Sequence, residues 1–478
     1  MANRNRVGGL TKEFGNAELG DVRRTTRLVR VVEAISREPA VGFPRALESP
    51  AELEAFYRFL NNEAFDAAAV FEPHRVATLG RAAAAKEVLF IHDTTTVEFR
   101  GEGTRPGLGY TTALGRQGFM AHMALCLSAT SDLPLGIAHV ETYTRTGMTW
   151  RQRKMRRTTR RDSEPRESAR WIRGVLATQT PALRGRAIHI MDAEADFFEL
   201  MRHLADESAR FIIRAGQLDR IVHDAGESMH LRQAIEDLKP TVFRDVSLSF
   251  RKHNVKTYGS TGRRKHPARS ERIARVGIAS TTITLGRSEY TKSQGASFEV
   301  NVVRAWEVAP PPGEPAVDWV LFTSEPVNRK AGLERIVDLY RKRWTIEEYF
   351  KALKTGCALE QRQVESYDGL CKVLAILAPI AWQLLWLRGM DRLHSDELAS
   401  TVFSEVELTL LQRAPAARGA PKPKTVSDAV TLLARLGGHI RNNGAPGWMT
   451  LGRGYEKLLL LRAGWQLAME HFEKCDQS

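Results

Sequence analysis

Two short apolar runs, each followed by an aspartate, constrain the fold of this chain most. Residues 88–91 (VLFI) lead into His92-Asp93, and Ala187–Met191 leads into Asp192. Runs this rich in β-branched and aromatic residues, bounded by polar clusters, are typical of buried strands. In α/β sheets, functional side chains lie at the carboxyl ends of such strands. We therefore predict an α/β fold in which both aspartates follow a strand at one sheet edge.

A third carboxylate lies in residues 340–354, YRKRWTIEEYFKALK. At about 3.6 residues per turn, one helix face collects a phenol, a carboxylate and three cations in a stripe roughly 80° wide. These residues are Tyr340, Arg343, Glu347, Lys351 and Lys354. The carboxylate can hold a metal ion, and the cations can bind DNA phosphates. The alternative is a solvated helix face with an ion pair between Glu347 and Lys351.

The three acids favour a site for divalent cations. Asp93, Asp192 and Glu347 would repel each other at one sheet edge unless cations neutralised them. Oxygen ligands without thiolates select Mg²⁺, or Mn²⁺, over zinc, and two such ions can clamp the oxygens of a phosphodiester during cleavage. The alternative role for each aspartate is a turn or helix N-cap. We expect that role for Asp196, at the start of a helix over residues 197–204.

The motifs resemble those of the RNase H-like DDE transposases of bacterial insertion sequences. The likeness is to the cut-and-paste group with a YREK signature, which includes the transposases of composite transposons. It covers most of the chain in the same order. The matching segments are GDVRRTTRLV, IHDTT, MDAEADFFEL, RFIIR, WVLFTSEPV, residues 340–354 followed by TGCALEQRQ, and ARLGG.

The resemblance implies a reaction and a catalytic triad. Asp93, Asp192 and Glu347 would be the catalytic residues and would hold two Mg²⁺ ions. The enzyme would cleave transposon ends, form a DNA hairpin and join the ends to target DNA. Two alternatives stay open: a nuclease of the same fold without strand transfer, and a catalytically silent DNA-binding regulator.

The resemblance also implies contacts to DNA near the scissile phosphate. Tyr340, Arg343 and Lys354 would grip the DNA. Trp319 would stack on a base flipped out of the transposon end, and Arg214 would lie beside that base. The alternative for Trp319 is to cover a sheet edge.

The net charge points to a polyanionic partner. The chain has 70 Lys and Arg against 56 Asp and Glu, a formal charge of +14. A helix near the N-terminus concentrates part of this charge in Arg23, Arg24 and Arg27, which favours a DNA-binding module over an ordinary amphipathic helical bundle. The resemblance implies that the partner is double-stranded DNA, at transposon ends and target. No P-loop occurs, so we expect no nucleotide cofactor, and no Gly-x-Ser-x-Gly elbow occurs.

The 478 residues are too many for one compact core. We predict a helical DNA-binding domain at 1–75, an RNase H-like catalytic domain at 76–369 with a β-rich insertion at 217–318, and a helical C-terminal domain at 370–478. The resemblance implies that the last domain forms a homodimer on DNA; the alternative is that its apolar final helix packs within the monomer. Two basic segments, 145–170 and 251–275, are expected to be loops; the first is either disordered or an arm that contacts phosphates.

Four widely spaced cysteines without a CxxC motif favour a reducing compartment. No signal peptide is evident. Residues 373–387 form the longest apolar run, which is short for a membrane span and contains Pro379, so we predict a buried helix. We therefore expect a bacterial cytoplasmic protein that associates with the nucleoid and not with membranes.

Overall fold

The computed structural model describes residues 9–37, 39–47, 49–99, 104–111, 116–145, 167–224, 226–248, 250, 254–258, 262–266, 268–286, 297–439 and 446–475. Most of the predicted basic loop 145–170 lies outside these ranges, as do parts of the segment 251–275. Within the described ranges the chain has a mixed α/β fold, in which helices pack against one large sheet.

The described part of the chain contains fourteen strands: β1 (Val88–Phe99), β2 (Gly109–Tyr110), β3 (Gln117–Ser128), β4 (Pro134–Tyr143), β5 (Ala187–Met191), β6 (Arg210–Arg214), β7 (Ile221–Asp224), β8 (Glu227–His230), β9 (Val242–Leu248), β10 (Asn254–Tyr258), β11 (Gly262–His266), β12 (Arg272–Leu285), β13 (Phe298–Glu307) and β14 (Asp318–Thr323). Twelve of them form one sheet in the order β2-β3-β1-β5-β6-β14-β13-β12-β7-β8, with β4 paired to β3 and β9 paired to β12. The other two form a separate hairpin.

The helices are α1 (Leu10–Phe14), α2 (Val22–Arg37), α3 (Phe43–Ala46), α4 (Pro50–Leu60), α5 (Ala67–Ala84), α6 (Ala169–Thr178), α7 (Phe198–Asp206), α8 (Leu231–Glu236), α9 (Lys330–Arg341), α10 (Thr345–Lys351), α11 (Tyr367–Leu393), α12 (Glu405–Arg413), α13 (Val426–Leu436) and α14 (Trp448–Cys475). Local signals set several of their ends. The Ser49 hydroxyl, for example, accepts a hydrogen bond from the Glu52 amide (3.2 Å) at the start of α4.

The predicted strands around the two aspartates are present, and their register positions both side chains. β1 and β5 pair in parallel, and this pairing ends with His92 opposite Met191. Asp93 is the residue after His92 in β1, and Asp192 is the residue after Met191 at the end of β5. The sheet therefore brings together two acids that are far apart in sequence.

The expectation that β1 ends before Asp93 is wrong. β1 continues to Phe99 because β3 pairs with it in antiparallel fashion along its whole length, from Val88 opposite Ser128 to Phe99 opposite Gln117. Asp93 thus lies in the middle of a long strand, at the point where the neighbour on the other side, β5, stops. Threonines after Asp93 extend the strand because β-branched residues favour extended backbone.

The segment 340–354 is not one regular helix, contrary to the prediction. Tyr340 lies in α9, Arg343 in a 3-10 turn (Lys342–Trp344), Glu347 in α10 and Lys354 in a π-helical turn (Ala352–Gly356). The π turn is closed by a hydrogen bond from the Cys357 amide to the carbonyl five residues back (2.9 Å). These changes of helix type alter the directions in which the side chains of the predicted stripe project.

The segment between residues 217 and 318 is rich in strands, and most of them belong to the central sheet. β9, β12 and β13 continue the central sheet beyond β14. The segment 251–275 is also not a continuous loop, because it contains the β10–β11 hairpin and the start of β12.

Two helices cross the predicted domain boundaries. α5 spans residue 75 and α11 spans residue 369. One apolar cluster includes Leu28, Leu89 and Leu433, which belong to the three predicted domains. The three-part division stays a prediction, and the parts share one core.

α11 is long and apolar enough to cross a membrane by length and composition alone. Its most apolar 18-residue window has a mean hydropathy of 1.8, and all of that window is buried inside the protein. The helix is therefore packed as a core element, as the sequence predicted.

Candidate active site

Backbone amides orient the two aspartates at the edge of β5. The Thr94 amide donates to Asp93 Oδ1 (2.7 Å), and the Glu194 amide donates to Asp192 Oδ1 (2.9 Å). Asp192 is also the N-cap of a 3-10 turn, Ala193–Ala195, so it fills the alternative role that the sequence left open. Capping does not exclude metal binding, because it occupies only one carboxylate oxygen.

Arg343 connects the third acid to the first. Its Nη1 donates to Asp93 Oδ2 and its Nη2 donates to Glu347 Oε1, each over 2.9 Å. The side chains of Arg343 and Asp93 are only 17% and 16% exposed, so the contact between them is largely shielded from water. Ion pairs of this kind are stronger than those on an open surface.

The pKa of Asp93 shows that the three acids interact. This pKa is raised to about 7: burial contributes most, the charges of Asp192 and Glu347 add to the increase, and Arg343 and the Thr94 amide oppose it. Two nearby carboxylates disfavour ionisation of a third. The structure therefore brings Asp93, Asp192 and Glu347 into one electrostatic group, while their role as a catalytic triad stays a prediction.

The donor set fits a divalent cation, although Arg343 now satisfies two of the acids. Among the described residues, no group of three His, Cys, Asp or Glu side chains is arranged to hold an ion. Asp93 and Glu347 are instead directed at one guanidinium. Carboxylate oxygens are the ligands that Mg²⁺ prefers, and a cation would relieve the repulsion that raises the pKa of Asp93. Arg343 occupies one oxygen of each acid, so a bound ion would compete with it for both carboxylates.

Tyr340, Trp319 and Arg214 form a second group beside the acids. The rings of Trp319 and Tyr340 meet nearly at right angles, with centroids 5.4 Å apart. Burial raises the pKa of Tyr340, Arg343 and Arg214 oppose this, and Asp192 adds to it. The phenol thus lies within electrostatic range of Asp192 and of both arginines. The sequence predicted that these residues serve one site, and the structure brings them together.

The two lysines of the predicted stripe have different surroundings. Lys354 donates from Nζ to the carbonyl of Thr96 on β1 and pairs with Glu360 (3.3 Å). Lys351 pairs with Glu348 (2.6 Å), so the alternative ion pair between Lys351 and Glu347 is not formed. Lys354 therefore lies against the strand of Asp93, whereas Lys351 is held by the neighbour of Glu347.

The three N-terminal arginines also differ. Arg23 is 88% exposed and pairs with Asp21 (2.9 Å), whereas Arg24 is half-buried and donates to the Leu19 carbonyl (2.8 Å). Arg27 is half-buried. The exposed face of α2 consists of Val22, Arg23, Thr26, Arg30 and Glu33. Arg23 faces solvent, while Arg24 stabilises the turn before the helix.

Asp196 does not cap a helix, contrary to expectation. It is buried, accepts hydrogen bonds from the amides of Gly216 (2.7 Å) and Gln217 (2.9 Å), and pairs with Arg220. α7 begins after Phe197 without a side-chain cap. Asp196 instead fixes the chain that follows β6, which a local reading of the sequence could not detect.

Sequence reasoning missed Arg170. Its guanidinium contacts Thr94 and Glu194, the residues directly after Asp93 and two after Asp192. In the sequence it ends a strongly basic run, and nothing in that run distinguishes it from the other arginines. The only local signal is its place directly before the apolar residues Trp171 and Ile172, at the start of a helix.

Two protein-family models match the chain. Residues 9–65 match the family model described as transposase DNA-binding, and residues 84–379 match the model described as transposase DDE domain. The class of protein is therefore a DNA transposase with a DNA-binding region and a catalytic region. The three acids lie inside the second match.

The chain belongs to the DDE transposase family, because the second match alone covers more than half of its residues. Transposases of this family cleave and join DNA, and DDE domains generally use divalent metal ions. The predicted identity as a DNA-binding transposase is confirmed at this level.

Proposed function

We propose that this protein is a Mg²⁺-dependent cut-and-paste transposase of the YREK group. It would cleave transposon ends, pass through a DNA hairpin and join the ends to target DNA. The observation that carries the proposal is the β1–β5 register which, with the Arg343 bridge, gathers Asp93, Asp192 and Glu347 in a DDE transposase. The hairpin and the composite-transposon type are supported by the resemblance of the ordered motifs alone.

Asp93, Asp192 and Glu347 would hold two Mg²⁺ ions, with Mn²⁺ as a substitute. Bound ions would activate water or a 3′-hydroxyl and stabilise the leaving oxygen of the phosphodiester. The chain itself orients the ligands: β1 and β5 set their places, and the Thr94 and Glu194 amides fix one oxygen of each aspartate. One site can serve both cleavage and joining, since it recognises phosphate geometry rather than the nucleophile.

The cations and aromatic rings around the acids would hold DNA. Arg343 is already within 2.9 Å of two carboxylates and would exchange them for a phosphate, to which guanidinium binds with two parallel hydrogen bonds. Tyr340 and Lys354 would contact the neighbouring backbone, with Lys351 further out. Trp319 is held edge-on by Tyr340, and such a fixed indole suits stacking on a flipped base beside Arg214.

The N-terminal region would recognise transposon ends through α2. Its outward face combines exposed cations with Val22 and Thr26, a mixture that can contact both phosphates and base edges. Arg23 is the strongest candidate of the three predicted arginines because it is the most exposed. Arg24 and Arg27 would act mainly by supporting the helix and its positive field.

The strand arrangement supports an RNase H-like core. β4, β3 and β1 are antiparallel, and β1, β5 and β6 are parallel, in a continuous order. We propose that this core spans residues 76–369, with 1–75 as the DNA-binding domain and 370–478 as a dimerisation domain. Its place would be the bacterial cytoplasm, with the nucleoid.

A homodimer on DNA is supported by α14. One side of this helix buries Leu451, Tyr455 and Leu458. Further along the helix, apolar residues are exposed: Leu460, Leu461, Trp465 and Met469. Apolar side chains spaced along an exposed helix favour a partner helix.

The triad is tested by Asp93→Asn, Asp192→Asn and Glu347→Gln, measured as Mg²⁺-dependent nicking of cognate end DNA. Each variant should lose nicking and keep DNA binding. The matched control is Glu348→Gln, the adjacent residue, whose carboxylate pairs with Lys351 and Arg388. Full nicking by any triad variant would contradict the proposal.

Two other functions remain distinguishable by experiment. A nuclease of the same fold would nick the ends but fail to join a cleaved end to target DNA. A silent regulator would bind the ends and do neither. Intact acids in one electrostatic group favour an active enzyme.

A further inference from the structure

Arg170 is a buried cation that the proposed chemistry does not use. It lies in the first turn of α6, and its side chain is 9% exposed. All three nitrogens of its guanidinium donate hydrogen bonds. Nε donates to Thr94 Oγ1 (3.1 Å), Nη1 to the Glu167 carbonyl (2.8 Å) and Nη2 to Glu194 Oε2 (2.9 Å).

The two side chains that Arg170 contacts belong to the residues that orient the aspartates. Thr94 gives its amide to Asp93, and Glu194 gives its amide to Asp192. Arg170 therefore links the two anchoring residues through their side chains while their backbones hold the acids. Its planar guanidinium fixes the directions of these two hydrogen bonds and the distance between the Thr94 and Glu194 side chains.

The sheet alone does not fix this distance. The parallel pairing of β1 and β5 ends at His92 and Met191, so Asp93 and Asp192 follow the last paired residues. Beyond that point no strand pairing joins the two segments, and the charges of the two acids oppose each other. Metal-dependent catalysis needs its ligands held within about 0.5 Å. A further contact is therefore needed between the segment after β5 and strand β1, and the Arg170 side chain supplies it by bonding to Thr94 and Glu194.

The packing of α6 gives Arg170 its reach. Gly174 lies one turn further along the helix, and a Cβ there would be 3.1 Å from both His122 Nε2 and His92 Nδ1. The missing side chain lets the helix lie close to β1 and β3. His122 also bonds to the Thr94 hydroxyl through Nδ1 (3.0 Å), so that hydroxyl is fixed from two sides.

We infer that Arg170 is a positioning residue that sets the separation of Asp93 and Asp192 and thereby the selectivity of the site for Mg²⁺. The inference rests on the proposed function, because it takes both aspartates as metal ligands. Mg²⁺ demands near-ideal octahedral geometry, whereas Ca²⁺ accepts flexible arrangements of more ligands. Loss of the link should therefore weaken Mg²⁺ binding more than Ca²⁺ binding.

The test is isothermal titration calorimetry of the full chain with MgCl₂ and with CaCl₂. Arg170→Met should reduce Mg²⁺ affinity about 10–100-fold, the usual effect of losing a group that orients a metal ligand. Ca²⁺ affinity should fall less, and Arg170→Lys should restore part of the difference. The matched control is Arg173→Met, on the same helix, whose exposed guanidinium pairs with Glu141 and which should bind both ions normally.

A second variant keeps Arg170 and removes its partner. Thr94→Val deletes the hydroxyl that accepts from Nε, and it should show the same selective loss of Mg²⁺ affinity. It decides the question alone if Arg170→Met does not fold. Equal losses for both ions, or none, would show that Arg170 is merely structural and would overturn the inference. If Asp93→Asn binds Mg²⁺ as tightly as the unaltered chain, the metal ligands themselves are wrong and both proposals fail.

Discussion

Arg343 should compete with metal ions for Asp93 and Glu347, and its removal should therefore tighten metal binding in the absence of DNA. The perturbation is Arg343→Met, which keeps most of the aliphatic stem and removes the guanidinium. The contact to Asp93 is largely buried and would contribute roughly 1.5 kcal/mol, and the more exposed contact to Glu347 roughly 0.5 kcal/mol. The sum of about 2 kcal/mol corresponds to roughly 30-fold in affinity.

Protonation of Asp93 opposes this gain at neutral pH. With Arg343 present, burial and the neighbouring carboxylates raise the pKa of Asp93 to about 7, so loss of this opposing cation moves the pKa higher and leaves more of the acid protonated at pH 7. The tighter binding should therefore be clear at pH 9 and smaller at pH 7. Mn²⁺ is a suitable probe, because its free form is measured directly by electron paramagnetic resonance.

Arg388→Met is the matched control for this titration. Arg388 pairs with Glu348, and its loss also removes one positive charge near α10. The control should bind Mn²⁺ like the unaltered chain. If, at pH 9, Arg343→Met binds Mn²⁺ no more tightly than the unaltered chain and the Arg388→Met control do, Arg343 does not compete with the ion and the reasoning is refuted.

Three further outcomes are expected. Burial lowers the pKa of His189 to about 4, so the folded protein resists a proton that the unfolded chain accepts below about pH 6.5. Stability should fall by about 3 kcal/mol between pH 6.5 and pH 4 on this account, and denaturant unfolding of His189→Gln should show a shallower fall; an unchanged slope would contradict it. Arg362 is buried and donates to three main-chain carbonyls, so Arg362→Met should lose roughly 3 kcal/mol of unfolding free energy, against less than about 0.5 for the exposed Arg23→Met. Trp465→Glu should leave the chain folded but prevent its dimerisation on end DNA in sedimentation experiments, and a normal dimer would rule out α14 as the interface.

The strands that carry the aspartates were predictable because they are buried on both faces. Continuous apolar runs are the direct consequence of such burial. The extension of β1 beyond Asp93 was not predictable from the run itself, because it depends on pairing with β3. Such pairing is set by residues some twenty-five positions later in the chain.

The periodicity of residues 340–354 predicted which side chains share a site, but not the backbone that presents them. A 3-10 turn and a π turn replace parts of the helix, and they depend on contacts outside the segment. Lys354 lies in the π turn and reaches the carbonyl of Thr96, on the strand of Asp93. The residue spacing of a regular helix does not predict this contact between Lys354 and Thr96.

Long-range polar contacts were the least predictable part of the site. Asp196 accepts hydrogen bonds from amides twenty residues later, and Arg170, in α6, donates to Thr94 on strand β1. The local sequence does not distinguish either residue from an ordinary charged surface residue. Only the assembled sheet shows that one of them fixes a loop and that the other spans the two catalytic strands.

The two helices that cross the predicted boundaries bear on the fate of shortened chains. The Lys372 ammonium, in α11, donates to the carbonyls of Leu60 (2.9 Å) and Asn62 (2.6 Å), so the middle of the protein completes the polar contacts of its beginning. A product that stops at residue 369 would lack this partner and nearly all of the central apolar helix. We expect such products of damaged gene copies to be degraded rather than to persist as rivals for the same DNA.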